Sequence, residues 1–369
     1  MKGKKHLNII FLTVTRISSI EDSGIYTGLL RNFRDEGHSF TIVSPIERRF
    51  KGKTELIKKE GVEFLKVRTL NIQKTHFIEK GIGTLLLEYQ FIAAIKQHLS
   101  NKKFDLVLYA TPPITLVKPI SFLKKRDSAF TYLMLKDIFP QNAVDLGMFS
   151  KQSLLYKLFR KKEKELYAIS DYIGCMSPAN INYVLQQNDT IVESKVGLCP
   201  NAIDTSRILQ KKIKKKDENR PLRFIYGGNL GKPQGIEFLL QIIESYKDKS
   251  DVEFYIVGAG TEYSKIKKRF EELKPTNAFL RNQLPKDEYE NLVATADVGM
   301  IFLDSRFTIP NFPSRLLSYL QNKIPVFCAV DKNTDIGVIV ENNNFGVSCI
   351  HGDLKEAKNK LESLIKRKN

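Results

Sequence analysis

Short apolar runs rich in β-branched and aromatic residues alternate with longer amphipathic stretches along the whole chain. In the first half these runs fall near residues 7–14, 40–44, 62–67, 105–110, 129–135, 172–176 and 195–199. Such alternation predicts strands joined by helices, hence a parallel sheet covered on its faces. A basic polar segment, Thr205 to Arg220, interrupts the rhythm. It restarts near 222–227, 253–257, 278–281, 298–303 and 325–330, and a short basic helix is expected from Leu354 to Lys366. The expected fold class is α/β, with two Rossmann-like, doubly wound domains at 1–204 and 221–369 joined by a basic linker at 205–220. Ligands in such sheets bind outside the carboxyl ends of the strands, so the two domains are expected to face a shared central cleft.

Composition narrows the partners. At 369 residues with 42% hydrophobic content, the chain can fill two cores of ordinary size. Its 59 basic against 41 acidic residues leave a formal charge of +18. That favours an anionic partner, although lysines on solvated helix faces account for part of it. No nucleic acid is expected, because the basic residues lack interleaved aromatic motifs. The apolar stretch Leu7 to Val14 is short and contains Asn8 and Thr13, so it reads as a first strand rather than a secretory signal. No segment reaches the length needed to span a bilayer, and a cytoplasmic location is expected. Cys175, Cys199, Cys328 and Cys349 sit singly in apolar runs, and the five histidines show no metal spacing. Neither a catalytic metal nor a cofactor is expected.

Three glycine- or proline-punctuated segments in the second half are candidates for binding phosphate. In Tyr226-Gly-Gly-Asn-Leu-Gly-Lys-Pro-Gln-Gly235, glycines permit close backbone approach at a helix start, making Gly227, Gly228, Asn229, Lys232 and Gln234 candidates. The spacing is not GxGxxG, and an ordinary structural turn is the alternative. Gly258, in Val257-Gly-Ala-Gly260, lies one βα unit later. The third segment, Phe307 to Leu320, follows Asp304 and contains Ser314 and Arg315 after Pro313, at an expected helix start, with Ser318 beyond. An ordinary surface ion pair is the alternative for Arg315.

In the first half, Asp137 ends an apolar strand, where a carboxylate can orient a hydroxyl, take its proton, or cap a helix. Residues 77–99 carry Ile78, Ile82, Leu85, Leu86, Tyr89, Ile92, Ile95 and Leu99 on a broad apolar face, flanked by Lys74, His76, Lys80 and Lys96. A core helix and an interfacial helix on anionic lipid both fit that pattern.

With these residues in view, the chain resembles glycosyltransferase family 4, the retaining GT-B enzymes, especially bacterial members that assemble capsule, O-antigen and other lipid-linked polysaccharides. The resemblance rests on Gly37-His38, Ser170-Asp-Tyr-Ile-Gly-Cys-Met-Ser177, Cys199-Pro-Asn-Ala-Ile-Asp204 and Ala294-Thr-Ala-Asp-Val298, and covers the chain to about residue 350. It implies transfer of a sugar, a HexNAc or deoxy-amino sugar, from a UDP-sugar to a lipid-linked saccharide, with retention of configuration. The nucleotide-sugar donor would lie on the second domain. The acceptor would lie on the first, near Gly24, Lys74, His76 and Asp137, with peripheral contact to an anionic membrane.

Two departures from the family stand out. Its basic G-R-L and K-G positions read Asn229 and Gln234 here, with Lys232 nearby. The two glutamates of its E-x7-E pattern read Pro310 and Ser318. Arg315, Ser314 and helix-start amides would then hold the diphosphate, and Ser318 would reach the ribose. Relatives generally continue into a terminal helix that crosses back onto the first domain, and only the short helix remains here. A noncatalytic nucleotide-sugar-binding subunit and a nucleotide-sugar 2-epimerase are the alternative functions.

Overall fold

The computed structural model describes residues 6–22, 24–73, 75–204 and 220–366. Residues 1–203 and 204–369 form two compact units. Most of the expected linker, 205–219, lies outside the described residues; Arg220 pairs with Asp297 at 2.7 Å, within the second unit.

The first unit is built on eight strands: β1 (Asn8–Leu12), β2 (Ser39–Glu47), β3 (Glu55–Lys59), β4 (Val62–Thr69), β5 (Leu106–Ala110), β6 (Phe130–Leu135), β7 (Tyr172–Cys175) and β8 (Val196–Leu198). They lie in the order β3-β4-β2-β1-β5-β6-β7-β8. All pairings are parallel except β3 with β4. β3 was not among the expected strands. Its sequence, Glu-Leu-Ile-Lys-Lys, carries charge where a buried strand would be apolar, as suits an edge. The helices are α1 (Ile25–Asp35), α2 (Phe77–His98), α3 (Val117–Asp127), α4 (Gln141–Asp145), α5 (Leu154–Ile169) and α6 (Pro178–Gln186).

The second unit holds β9 (Leu222–Asn229), β10 (Val252–Ala259), β11 (Ala278–Arg281), β12 (Val298–Phe302), β13 (Val326–Val330) and β14 (Gly346–Ile350), all parallel, in the order β11-β10-β9-β12-β13-β14. Its helices are α7 (Ile236–Tyr246), α8 (Tyr263–Leu273), α9 (Lys286–Val293), α10 (Arg315–Gln321), α11 (Ile336–Asn342) and α12 (Leu354–Lys366). Because side chains alternate along a strand, Phe224 and Tyr226 of β9 enter one core layer and Ile225 enters the other. Ala357, Leu361 and Leu364 of α12 recur at helical spacing and join the layer of Phe224.

Strand order reverses direction between β9 and β12 in this unit, and between β1 and β5 in the first. At such a reversal the connections depart to opposite faces of the sheet, leaving a crevice at the carboxyl ends of the strands.

Candidate functional site

In the second unit the crevice is framed by the loops after β9, β10 and β12. β9 ends in Gly227, Gly228 and Asn229. Gly258 is the register partner of Gly228 where β9 and β10 end, and a Cβ on it would stand 1.9 Å from the carbonyl oxygen of Gly228, so the paired strand ends leave no room for a side chain there. Gly228 itself takes φ +124°, a conformation that L side chains rarely adopt. The amides of Asn229 and Gln234 meet at 3.0 Å across the turn, and Lys232 points into solvent from the single 3-10 turn before α7. Gly228 and Lys232 are thus both exposed ahead of α7.

Arg315 closes the other side. Its guanidinium carbon lies 4.5 Å from the centre of the Tyr226 ring, and Nη2 would be 3.4 Å from a Cβ on Gly228. Nη1 is buried without a hydrogen-bond partner among the described residues. Burial works against the charge, but Tyr226 and Tyr319 hold the pKa above the ordinary arginine value. A cationic donor with unspent capacity beside a glycine loop is suited to receive an anionic oxygen. Ser314 is exposed and forms no side-chain cap. Since α10 has only seven residues, the guanidinium rather than the helix end supplies most of the positive charge.

Other expected donor contacts are engaged elsewhere. Ser318 donates to both carboxylate oxygens of Glu290, at 3.1 and 3.2 Å, and Asn322 donates to the same group at 3.3 Å. The Asp304 carboxylate pairs with Arg306 at 2.8 Å, while its backbone N–H donates to the carbonyl of Pro233 at 3.0 Å, tying the loop after β12 to the loop after β9. Asp304 thus shapes the crevice through its backbone.

Three residues not singled out in the sequence also build this edge. His351, directly after β14, bonds through Nε2 to the carbonyl of Gly235 at 3.0 Å and packs against Phe238, and burial lowers its pKa. Tyr289 sets its hydroxyl against Gly227, and Glu290 holds Ser318. All three come from elements distant in sequence, and no local motif marks them.

In the first unit, Gly24, His76 and Asp137 each follow the carboxyl end of a parallel strand: β1, β4 and β6. Gly24 caps α1 in an extended conformation open to any residue. The loop before it is held by Arg31, which donates to the carbonyls of Ile20 and Asp22, and by Glu60, which accepts from Ser19 at 2.7 Å. That bond is the largest cause drawing the Glu60 carboxyl down to about 2. His76 is exposed at the start of α2 and forms no side-chain cap; Lys74 lies outside the described residues.

Asp137 accepts from Asn142 Nδ2 at 2.9 Å, and its backbone N–H donates to Thr111 Oγ1 at 3.2 Å. Burial pushes its carboxyl above the usual carboxylate range despite the Asn142 bond. It makes no backbone cap for α4. A carboxyl so placed holds a proton more readily than a solvated one, which is the property a proton acceptor needs.

The broad apolar face read along α2 divides in the structure. Ile82, Leu85, Leu86 and Tyr89 are exposed, whereas Leu87, Phe91, Ala94 and Ile95 face the core and Leu99 is buried just beyond. The side chain of Ile78 lies outside the described residues.

Residues 206–369 match the family described as Glycosyl transferases group 1. The fold is GT-B. The structure described as "Trehalose-6-phosphate from E. coli bound with UDP-2-fluoro glucose" superposes with a TM-score of 0.70 at 12% identity, covering 97% of this chain and 91% of that one. Anabaena Alr3699/HepE in complex with UDP-glucose gives 0.65 at 14% identity, covering 98% and 91%. WaaG, a glycosyltransferase involved in lipopolysaccharide biosynthesis, gives 0.60 at 13% identity, covering 97% and 90%. In sequence, the chain is 22% identical over 329 residues to the probable glycosyltransferase WbjE of Pseudomonas aeruginosa, covering 88% of this chain and 81% of that protein. Together these comparisons support a GT-B glycosyltransferase. Among the described residues, no helix is long and apolar enough to cross a membrane.

Proposed function

We propose that the protein transfers a sugar, a HexNAc or deoxy-amino sugar, from a UDP-sugar to a lipid-linked saccharide in bacterial surface polysaccharide assembly, with retention. The observation that carries this reading is the buried, unpaired Nη1 of Arg315 beside the Gly228 loop, at the strand-order reversal of a unit matching group 1 glycosyl transferases. Bond breaking at the donor leaves negative charge on the nucleotide's terminal phosphate. Arg315, Lys232 and the open backbone near Gly228 are the groups placed to stabilise it, with no metal invoked. The second unit would hold the donor through these groups. In the first unit, Asp137 would orient the acceptor hydroxyl and take its proton. UDP-bound structural neighbours support the donor class, and the lipopolysaccharide-related ones support the acceptor class.

The test is nucleotide release from a panel of UDP-, GDP- and dTDP-sugars, with a lipid-diphosphate-sugar acceptor present or omitted. Acceptor-dependent UDP release, with the sugar recovered on the lipid, is expected. Tight UDP binding without release from any donor would replace the transferase with a binding subunit, and acceptor-independent conversion of the sugar would replace it with an epimerase.

A further inference from the structure

The carboxyl ends of β1, β2 and β4 carry a cluster that takes no part in the donor contacts above. Phe50 is 44% exposed in the single 3-10 turn after β2, with the guanidinium of Arg16 4.4 Å and that of Arg49 4.9 Å from its ring centre. None of these side chains sits on a free loop tip. Buried Glu47 ends β2 and pairs with Arg49 at 3.1 Å, while accepting from the backbone N–H groups of Ile72 at 3.1 Å and Gln73 at 3.3 Å. Gln73 in turn donates to the carbonyl of Val14 at 3.3 Å, and the N–H of Arg49 donates to the Asn71 side chain at 3.1 Å. Ile17, next to Arg16, is buried in the core with Ile20. An anchored backbone therefore holds an aromatic ring in water, where it costs free energy that a stacked ligand would recover.

The ion pairs narrow the ligand. Arg48 pairs with Glu79 at 3.0 Å and Arg49 with Glu47, whereas Arg16 is exposed and makes no ion pair among the described residues. The three arginines therefore leave one positive charge unspent, which complements a single carboxylate better than a phosphate monoester of nearly twice the charge. A guanidinium held over a ring spends its π face there and keeps its N–H fork for a planar acid. The ring itself suits a sugar. A pyranose presents C–H groups that pack on the electron-rich face of an aromatic side chain, and in a uronate the carboxylate is bonded directly to that pyranose.

We propose that the carboxyl edge of the first unit carries a subsite for an acidic hexose, with the sugar ring stacked on Phe50, its carboxylate on Arg16, and Arg49 as a second donor. Gly24, His76 and Asp137 stand at the same edge of the sheet, because β1, β2, β4 and β6 run in one direction. In the proposed transfer the saccharide acceptor would accordingly contain a uronate. This last step rests on that reading of the function; the subsite itself does not.

Ligand-detected NMR titration of the full chain with methyl β-glucuronide, methyl β-glucoside, glucose 6-phosphate and inorganic phosphate tests the proposal. The glucuronide is expected to bind at least about tenfold more tightly than the glucoside. Arg16→Gln should remove that preference and leave glucoside affinity unchanged, whereas Phe50→Ala should weaken both glycosides about fivefold. Both variants should retain wild-type UDP affinity and melting temperature, which separates a lost subsite from lost folding. Equal binding of the two glycosides, or binding of neither, overturns the subsite. So does a glucuronide preference that survives in Arg16→Gln. Tighter binding of either phosphate than of the glucuronide, lost in Arg16→Gln, would make this a phosphate site and overturn the uronate assignment. A chain that prefers the glucuronide yet releases no nucleotide from any donor keeps the subsite and overturns the transferase; one that glycosylates the lipid acceptor without preferring the glucuronide does the reverse.

Discussion

Asp137 and Arg315 are both ionisable groups withdrawn from water, and their partners set opposite consequences. The Asp137 carboxylate accepts from the Asn142 side chain and the Ile138 backbone, yet burial, the largest cause, raises its pKa. The folded chain thus holds this proton more tightly than the unfolded chain does. The associated stability is fully present below the unfolded pKa and is lost as pH rises through the raised one. At neutral pH, Asp137→Asn is accordingly expected to raise the melting temperature, with the gain disappearing in acid below the ordinary carboxylate range. Its transfer rate is expected to fall roughly 100-fold. Parallel melting and rate measurements across pH check both parts; a variant that melts lower and turns over normally would assign Asp137 a purely structural role.

Asp137 and Arg315 were legible in the sequence because each stands at an element end whose type the pattern reveals. The engagement of Ser318 was not. The carboxylate that occupies it, Glu290, lies 28 residues earlier, and only the packing of α9 against α10 brings the two together.

At the scale of elements, the crevice depends on the carboxyl ends of β9 and β10 pairing through Gly228 and Gly258. Gly258→Ala would put a methyl group 1.9 Å from the Gly228 carbonyl oxygen, forcing the paired ends of β9 and β10 apart. A displacement of that order is expected to cost roughly 100-fold in transfer rate, alongside a lower melting temperature. Steady-state kinetics with a UDP-sugar check this, and wild-type activity in the alanine variant would show that the loop contact is dispensable.

The same scale shows what apolar patterning can and cannot reveal. Helix α12 keeps its expected bounds, Leu354–Lys366, since its apolar positions recur at helical spacing. β3 escaped because an edge strand needs no apolar run, and β14 because Gly346 and Ser348 interrupt one. On α2 the apolar residues were visible but their division was not: seven or more apolar positions in 22 residues exceed one core-facing stripe, and only the neighbours in three dimensions decide which are left outside.

For the whole molecule, two units of the same architecture carry different groups. Each has its strand-order reversal, but the first presents a carboxyl group with a raised pKa and an exposed apolar surface, and the second a glycine strand end beside a guanidinium whose Nη1 has no partner among the described residues. The formal charge of +18 suits both proposed partners, a nucleoside diphosphate and an acidic saccharide, so charge by itself does not distinguish them.

Calorimetric titration of UDP into the full chain does, when wild type, Arg315→Ala and Asp137→Asn are compared at one salt concentration. Loss of a charge-assisted contact should weaken UDP binding roughly 10- to 100-fold in Arg315→Ala, while Asp137→Asn binds as wild type does. Equal affinity in wild type and Arg315→Ala, or a comparable loss in Asp137→Asn, would contradict the assignment of the donor to the second unit.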